Sequence, residues 1–165
     1  PAIESSRSGN VGIMATAVTL KGQKYQLLVD DLALQNNVKL FEQACPGLVE
    51  QIELGQTDNK KTFDMLEKWL KPMRKNRVDT IVLGCTHYPL ISTSIKKIMG
   101  EDIRLIETGF AIAKQLKVLS ENKGHVNEGE LHVYVYFTGD ININMVNTIL
   151  KKWEHGGKIM LKGVC

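Results

Sequence analysis

A thiol, a hydroxyl and an imidazole occur at three consecutive positions of this chain, Cys85-Thr86-His87. They follow the apolar run Thr80–Leu83 and a glycine, Gly84. A short apolar run bounded by turn residues is typical of a buried strand, and glycine lets the backbone turn sharply where the strand ends. In open α/β sheets, ligands bind at the carboxyl ends of the strands. The sequence therefore predicts a catalytic cluster in this loop.

Cysteine reacts as the thiolate, so the surroundings of Cys85 decide what it can do. We expect a helix starting at Pro89 to direct its positive N-terminal end at Cys85 and to favour the thiolate. His87 would hold or shuttle the proton. The alternative is that Cys85 is a small buried apolar side chain, which is the commonest role of a free cysteine.

The run Gly84-Cys85-Thr86-His87-Tyr88-Pro89-Leu90 resembles the glutamate racemases, with Ala44-Cys45-Pro46 upstream and Glu53 eight residues beyond Cys45. Three further stretches are similar to family segments in the same order along the chain. They are Val11–Thr19, similar to a strand and Thr-rich loop of the second domain, Glu107-Thr108-Gly109, similar to an Asp-Ser-Gly helix start, and Phe137-Thr138-Gly139-Asp140, similar to a late signature.

The resemblance implies an amino-acid racemase that needs no cofactor, in which two cysteines face each other across the substrate α-carbon. It assigns Cys85 the role of one acid/base thiol, the one that acts on L-glutamate. Thr86 would hold the substrate through its hydroxyl and backbone N–H. His87 would assist Cys85 or orient the substrate ammonium group, and Glu53 would be the acidic partner of His87.

Other residues near these motifs have two possible interpretations. Thr16 and Thr19 would line the pocket for the substrate carboxylate, or they are ordinary turn residues. Glu53 is the predicted partner of His87, or it is one exposed carboxylate among several, with Glu50 one helical turn away. The resemblance gives Cys45 a structural role and does not make it the opposing catalytic cysteine.

Two segments that the family carries in its first half are not found in this sequence: an Asp-Ser-Gly segment and an Ala-Cys-Asn-Thr loop that holds the other catalytic cysteine. We interpret the chain as the C-terminal portion of such an enzyme. Racemisation without a cofactor needs a base on one face of the substrate and an acid on the other. We therefore expect this chain alone to have little or no racemase activity.

Strand-like and helical patterns alternate along the chain, which predicts an α/β fold with a parallel sheet flanked by helices. Strands are predicted at 11–15, 38–43, 78–83, 104–107 and 132–137, and helices at about 22–36, 47–54, 57–75, 89–99, 110–119 and 143–153. Thr57 or Asp58 is the predicted cap of the third helix, whose apolar stripe is Phe63, Leu66 and Leu70.

By the resemblance, residues 10–105 form the second α/β domain of a racemase-like pair, and residues 106–165 return to complete a similar first domain. The apolar faces of the returning segment would then lack part of their cover. These faces include Leu131, Val133, Val135 and Phe137. Uncovered apolar surface of this kind drives association, so we expect the isolated chain to self-associate.

The composition is that of a soluble globular protein, with 165 residues of which 43% are hydrophobic. A net charge of +3 is too small to indicate nucleic acid binding. No apolar stretch approaches the roughly twenty residues of a membrane span. Three cysteines with no metal-ligand spacing predict no metal site and suit a reducing cytoplasm.

Other functions remain open at this point. Inside the class, the alternative is a racemase of aspartate or a hydantoin, although the Thr-His pair after Cys85 favours glutamate. A cysteine hydrolase would need a third group and an oxyanion hole. A third possibility is a non-catalytic fragment that folds only against a partner half, and a homodimer is also possible. The expected role of the parent enzyme, supply of D-glutamate for peptidoglycan in cell wall biogenesis and cell shape, comes wholly from the resemblance.

Overall fold

The strands of the described chain are β1 (Asn10–Ala15), β2 (Lys39–Ala44), β3 (Thr80–Leu83), β4 (Arg104–Glu107), β5 (His132–Phe137) and β6 (Lys158–Gly163). The helices are α1 (Ala2–Ser5), α2 (Ala17–Lys21), α3 (Gln23–Asn36), α4 (Leu48–Glu53), α5 (Lys60–Lys75), α6 (Ser92–Met99) and α7 (Thr108–Asn122). This computed structural model describes residues 1–36, 38–125, 132–140, 142, 143, 146, 147, 149 and 158–163.

Four parallel strands form one sheet in the order β2-β1-β3-β4. In the register, Met14 of β1 lies opposite Leu83 of β3, and Leu83 lies opposite Glu107 of β4. The four strands therefore end at the same edge of the sheet. The predicted α/β fold with a parallel sheet flanked by helices is confirmed.

One face of the sheet carries the main hydrophobic core, which packs against α4, α5 and α6. Leu66, Leu70 and Met73 of α5 are fully or almost fully buried there. Phe63 is 37% exposed, so the predicted stripe is wrong at this position. The buried side of the helix includes Thr62 instead, whose hydroxyl donates to the Gln56 carbonyl oxygen at 2.6 Å.

The residue that caps α5 is Asn59, so the predicted caps Thr57 and Asp58 are wrong. The Asn59 side-chain oxygen accepts the Thr62 backbone N–H at 2.8 Å. This is the usual N-cap geometry, which satisfies one of the free N–H groups of the first turn. The Thr57 carbonyl oxygen accepts the Ser94 hydroxyl at 3.0 Å and ties the preceding loop to α6.

The other face of the sheet lines an apolar cavity of about 330 Å³, which α3 borders. Leu28, Val29 and Leu32 of α3 line it opposite Val11 and Ile13 of β1. The Tyr25 hydroxyl donates to the Glu42 carboxylate and so joins α3 to β2. Partial burial, together with this bond, raises the pKa of Tyr25.

The helix predicted at about 22–36 corresponds to α3. The short helix α2 before it was not predicted, and Gly22 between the two has an extended backbone. The one predicted at 89–99 begins as a 3-10 turn over Tyr88–Ile91, and the α-helix starts only at Ser92.

The C-terminal part of the described chain differs from the first part because its apolar side chains are little covered. Phe110, Ile112 and Leu116 of α7 are largely exposed, and Phe110 is 80% exposed. Strands β5 and β6 form a separate parallel pair, with His132 opposite Lys158. The strand β6 was not predicted from the sequence. The helix predicted at 143–153 falls mainly outside the described residues.

The N-terminal segment is fixed at the opposite edge of the sheet by Asp79, just before β3. Its carboxylate accepts the Ser6 hydroxyl at 2.7 Å and the backbone N–H groups of Arg7 and Ser8 at 2.8 and 2.7 Å. Partial burial opposes ionisation of this group. The hydrogen bonds outweigh it, and they lower the pKa of Asp79 to about 2.

The stabilisation that the Asp79 carboxylate gives the folded chain should therefore be lost in acid. Because the pKa of Asp79 is lower in the folded state, this stabilisation is complete above the ordinary aspartate pKa of about 3.9 and is lost as the pH falls through about 2. We expect Asp79→Asn to remove about 1 kcal/mol of unfolding free energy at pH 6 after solvent screening, and much less near pH 2. Urea unfolding at the two pH values measures this.

Asp102→Asn, at an exposed carboxylate near the same edge, is the matched control. An equal loss of stability at both pH values in Asp79→Asn would contradict the explanation from charge.

Candidate active site

The loop after β3 starts where β1 and β3 leave little room for a side chain. The Gly84 N–H donates to the Met14 carbonyl oxygen at 2.8 Å. A Cβ at position 84 would lie 3.1 Å from both that oxygen and the Ala15 Cβ. Glycine therefore fits here without displacing its neighbours, whereas a larger residue would require them to shift by a few tenths of an ångström. Gly84 leads the chain out of the sheet and places Cys85, Thr86 and His87 at the carboxyl end of β3, as predicted.

The loop is anchored by Tyr88, whose side chain is fully buried. The Tyr88 N–H donates to the Cys85 carbonyl oxygen at 3.1 Å, and the Leu90 N–H donates to that of His87 at 3.0 Å. Cys85 and His87 are partly buried, and Thr86 is exposed. The helix predicted to start at Pro89 begins as a 3-10 turn over Tyr88–Ile91, and the α-helix α6 starts only at Ser92.

The side chains of Cys85, His87 and Glu53 contact one another in series, and we call this series the catalytic line. The Cys85 Sγ lies 3.8 Å from the His87 Nδ1, and the His87 Nε2 lies 3.1 Å from the Glu53 Oε1. Glu53 is the last residue of α4, and Glu50, in the first turn, is not the partner. The histidine is 25% exposed and the glutamate 53%, so water reaches this pair.

This geometry selects one tautomer of His87. A carboxylate only accepts hydrogen bonds, so the bond to Glu53 requires the proton on Nε2. The Nδ1 lone pair then faces the Cys85 thiol and can accept its proton. The same three groups would also serve a cysteine hydrolase, which in addition needs donors for an oxyanion.

Thr16 and Thr19 lie where β1 ends, at the same edge of the sheet as Cys85. Their hydroxyl oxygens are 2.9 Å apart, and the Thr16 hydroxyl also caps α2 by accepting the Thr19 N–H at 3.3 Å. Thr19 is exposed and lines the mouth of the apolar cavity with Gly84 and Thr108. The hydroxyls thus perform a capping role, and a role in substrate binding stays a prediction.

Cys45 differs from Cys85 in its surroundings. It is only 2% exposed, and its Sγ lies 3.5 Å from the Gln43 carbonyl oxygen. Burial raises the pKa of Cys45 to about 12, although the nearby Tyr88 hydroxyl partly opposes this. That hydroxyl is itself buried without a well-aligned hydrogen-bond partner among the described residues. Cys45 therefore stays a neutral thiol at ordinary pH, which fits the structural role predicted for it.

One contact at the site was not predicted from the sequence. The Asn142 side-chain amide donates to the Glu53 carbonyl oxygen, across 89 positions of the chain. No local pattern around Asn142 indicates such a contact, because only the tertiary structure brings the two residues together.

Neither a metal nor a membrane signal accompanies this site. Among the described residues, no group of three or more His, Cys, Asp or Glu side chains is arranged to hold a metal ion. Within the same part of the chain, no helix is both long and apolar enough to cross a membrane.

Two glutamate racemases are similar to this chain in sequence. The chain is 61% identical over 151 residues to the glutamate racemase of Aliarcobacter butzleri, which covers 92% of this chain and 58% of that protein. It is 51% identical over 154 residues to the glutamate racemase of Sulfurovum sp., covering 93% of this chain and 58% of that protein. The chain therefore spans somewhat more than half the length of these relatives.

Solved structures share its fold. Glutamate racemase isoform RacE1 of Bacillus anthracis superimposes with a TM-score of 0.77 at 28% identity, over 99% of this chain and 60% of that one. The Escherichia coli glutamate racemase, solved with L-glutamate and the activator UDP-MurNAc-ala, gives a TM-score of 0.75 at 25% identity, over 100% of this chain and 61% of that one.

The profile of the Asp/Glu/Hydantoin racemase family matches residues 2–116, which include Cys85, His87 and Glu53. The match covers the whole parallel sheet and the loop that carries the thiol, and it agrees with the identities and the fold. The chain belongs to the Asp/Glu/Hydantoin racemase family.

Proposed function

We propose that this chain is part of a glutamate racemase and supplies one half of its catalytic site. The line from Cys85 through His87 to Glu53 is the observation that carries the proposal. The family profile covers aspartate, glutamate and hydantoin substrates, and the curated relatives named above are glutamate racemases. This favours glutamate over the other two.

In the proposed reaction, Cys85 transfers a proton at one face of the substrate α-carbon. His87 accepts the thiol proton through Nδ1, and Glu53 stabilises the imidazolium that forms, by accepting the Nε2 hydrogen. The thiolate then removes the α-proton of L-glutamate. A second acid, on the opposite face, completes the inversion. Thr86, with its exposed hydroxyl, would hold the substrate, and Thr16 and Thr19 would border the pocket for its carboxylate.

The second thiol would come from a portion of the protein that this chain does not contain. We propose that residues 10–105 form one domain and that residues 106–165 complete another with that portion. The exposed apolar side chains of α7, such as Phe110 and Leu116, support this division because they are the kind of surface that packing covers. Two free cysteines among the described residues suit a reducing cytoplasm, where D-glutamate would supply peptidoglycan.

Activity should depend on the missing portion. We expect the 165-residue chain to self-associate and to leave the α-protons of L- and D-glutamate unexchanged in D2O. Adding the portion of the Aliarcobacter butzleri racemase that this chain does not match should give a defined complex and exchange of both enantiomers. Light scattering and ¹H NMR measure the two results, with L-aspartate as the control substrate.

Exchange by the chain alone would show that the Cys85 side works without the opposing thiol. A stable complex that never exchanges glutamate would contradict the proposed function.

The two described thiols should differ sharply in reactivity. Because burial raises the pKa of Cys45 to about 12, we expect iodoacetamide at pH 8 to modify Cys85 and to leave Cys45 intact until the chain is unfolded. Peptide mass spectrometry of a Cys165→Ser variant measures this without interference from the terminal cysteine. Equal labelling of Cys45 and Cys85 in the folded chain would refute the assignment.

Removing the charge of Glu53 should lower kcat, whereas removing that of Glu50 should not. In the reconstituted complex, we expect Glu53→Gln to lower kcat about tenfold or more, since the amide stabilises the His87 cation poorly. Glu50→Gln, on the same helix, is the matched control and should change kcat less than twofold. Equal effects of the two substitutions would show that Glu53 is only a surface carboxylate.

A further inference from the structure

The C-terminal end of α4 has an unusual source for one of its hydrogen bonds. The last four carbonyl groups of a helix lack partners inside it. Three of these accept N–H groups of the next turn: Glu50 from Leu54 at 3.1 Å, Gln51 from Gln56 at 2.9 Å and Ile52 from Gly55 at 2.9 Å. Gly55 has a φ of +72°, so this is a Schellman motif, which satisfies these carbonyls locally.

The fourth carbonyl, that of Glu53, lies outside the motif. It accepts the side-chain amide of Asn142 at 2.5 Å. Asn142 lies beyond β5 and the Phe137-Thr138-Gly139-Asp140 segment, far from α4 in sequence. A side chain of the C-terminal segment thus completes the end of the helix whose last residue bonds to His87.

We propose that Asn142 is a positioning residue for the catalytic line, because it fixes the backbone of Glu53 and thereby the carboxylate that orients His87. The proposal rests on the proposed function only in assigning Cys85 its acid/base role.

The physical argument starts from the exposure of Glu53. Its side chain is 53% exposed, so packing does little to hold the carboxylate in one place. Terminal residues of a helix also fray when their carbonyls lack partners. Anchoring the carbonyl restricts the backbone from which the side chain starts, and so the volume that the carboxylate samples. A carboxylate held in one position keeps the proton on Nε2 of His87 and leaves Nδ1 free to face Cys85.

The orientation of His87 can be measured without any enzyme activity. In a sample labelled with ¹⁵N at histidine, the ring nitrogens distinguish the two neutral tautomers, and a His87→Gln variant assigns the signal among the four histidines. At about pH 8.5, among the neutral forms of His87, we expect the Nε2–H tautomer to dominate in the 165-residue chain. Magic-angle spinning gives the same distinction if the sample is associated.

Asn142→Asp is the decisive variant because it keeps the shape of the side chain and removes the amide donor. We expect it to lower the ratio of the Nε2–H to the Nδ1–H form about three- to tenfold, which is the usual effect of one hydrogen bond. Asn142→Gln retains the donor and should restore much of the ratio. Asn122→Ala, at an exposed asparagine at the end of α7, is the control and should not change it.

In the reconstituted complex, Asn142→Asp should lower kcat and leave KM within about twofold, since a positioning residue acts through the catalytic groups. An unchanged tautomer ratio in Asn142→Asp would overturn the proposal, whatever happens to activity. A changed ratio in a complex that never racemises glutamate would support the positioning role and refute only the proposed function.

Discussion

The close contact between β1 and β3 at Gly84 is the constraint on which the site depends. The pairing of β1 with β3 ends at Met14 and Leu83, and the Gly84 N–H donates to the Met14 carbonyl oxygen at 2.8 Å. Cys85 follows directly and lies at the carboxyl edge of the sheet. A Cβ at position 84 would lie 3.1 Å from this oxygen and from the Ala15 Cβ, so a side chain there would require these neighbours to shift by a few tenths of an ångström.

Burial behind the loop makes this position rigid. Tyr88 fills the core beneath Cys85, next to the buried Cys45, while His87 on the solvent side reaches Glu53 of α4. The loop is thus held on one side by apolar packing and on the other by the hydrogen bond between His87 and Glu53, which water can reach. The two cysteines differ because of this arrangement. Burial keeps the Cys45 thiol neutral, whereas the Cys85 thiol faces His87.

The Cys85 thiol lies at one edge of the sheet. In the proposed reaction a proton is removed from one face of the α-carbon and returned to the other, so this thiol would provide only half of that reaction. The Asn142 amide of the C-terminal segment contacts the Glu53 backbone, and the Glu53 carboxylate in turn bonds to His87.

The sequence by itself determined the parallel α/β fold, the loop that carries Cys85 and the pairing of His87 with Glu53. The periodicity of the strands predicts the fold, and the apolar run before Gly84 predicts the loop. The resemblance supplies the pairing of His87 with Glu53. Errors occurred at element ends, where Asn59 replaced the predicted caps and a 3-10 turn replaced the first turn of the predicted helix. Such choices depend on which nearby backbone groups need partners.

Only the tertiary structure decided the state of Cys45 and the role of Asn142. The pKa of a thiol depends on the side chains that exclude water from it, and Tyr88 lies far along the chain from Cys45. The Asn142 contact spans 89 positions, and no local pattern encodes a hydrogen bond of that length. Both features depend on how separate elements pack together, which local sequence patterns do not specify.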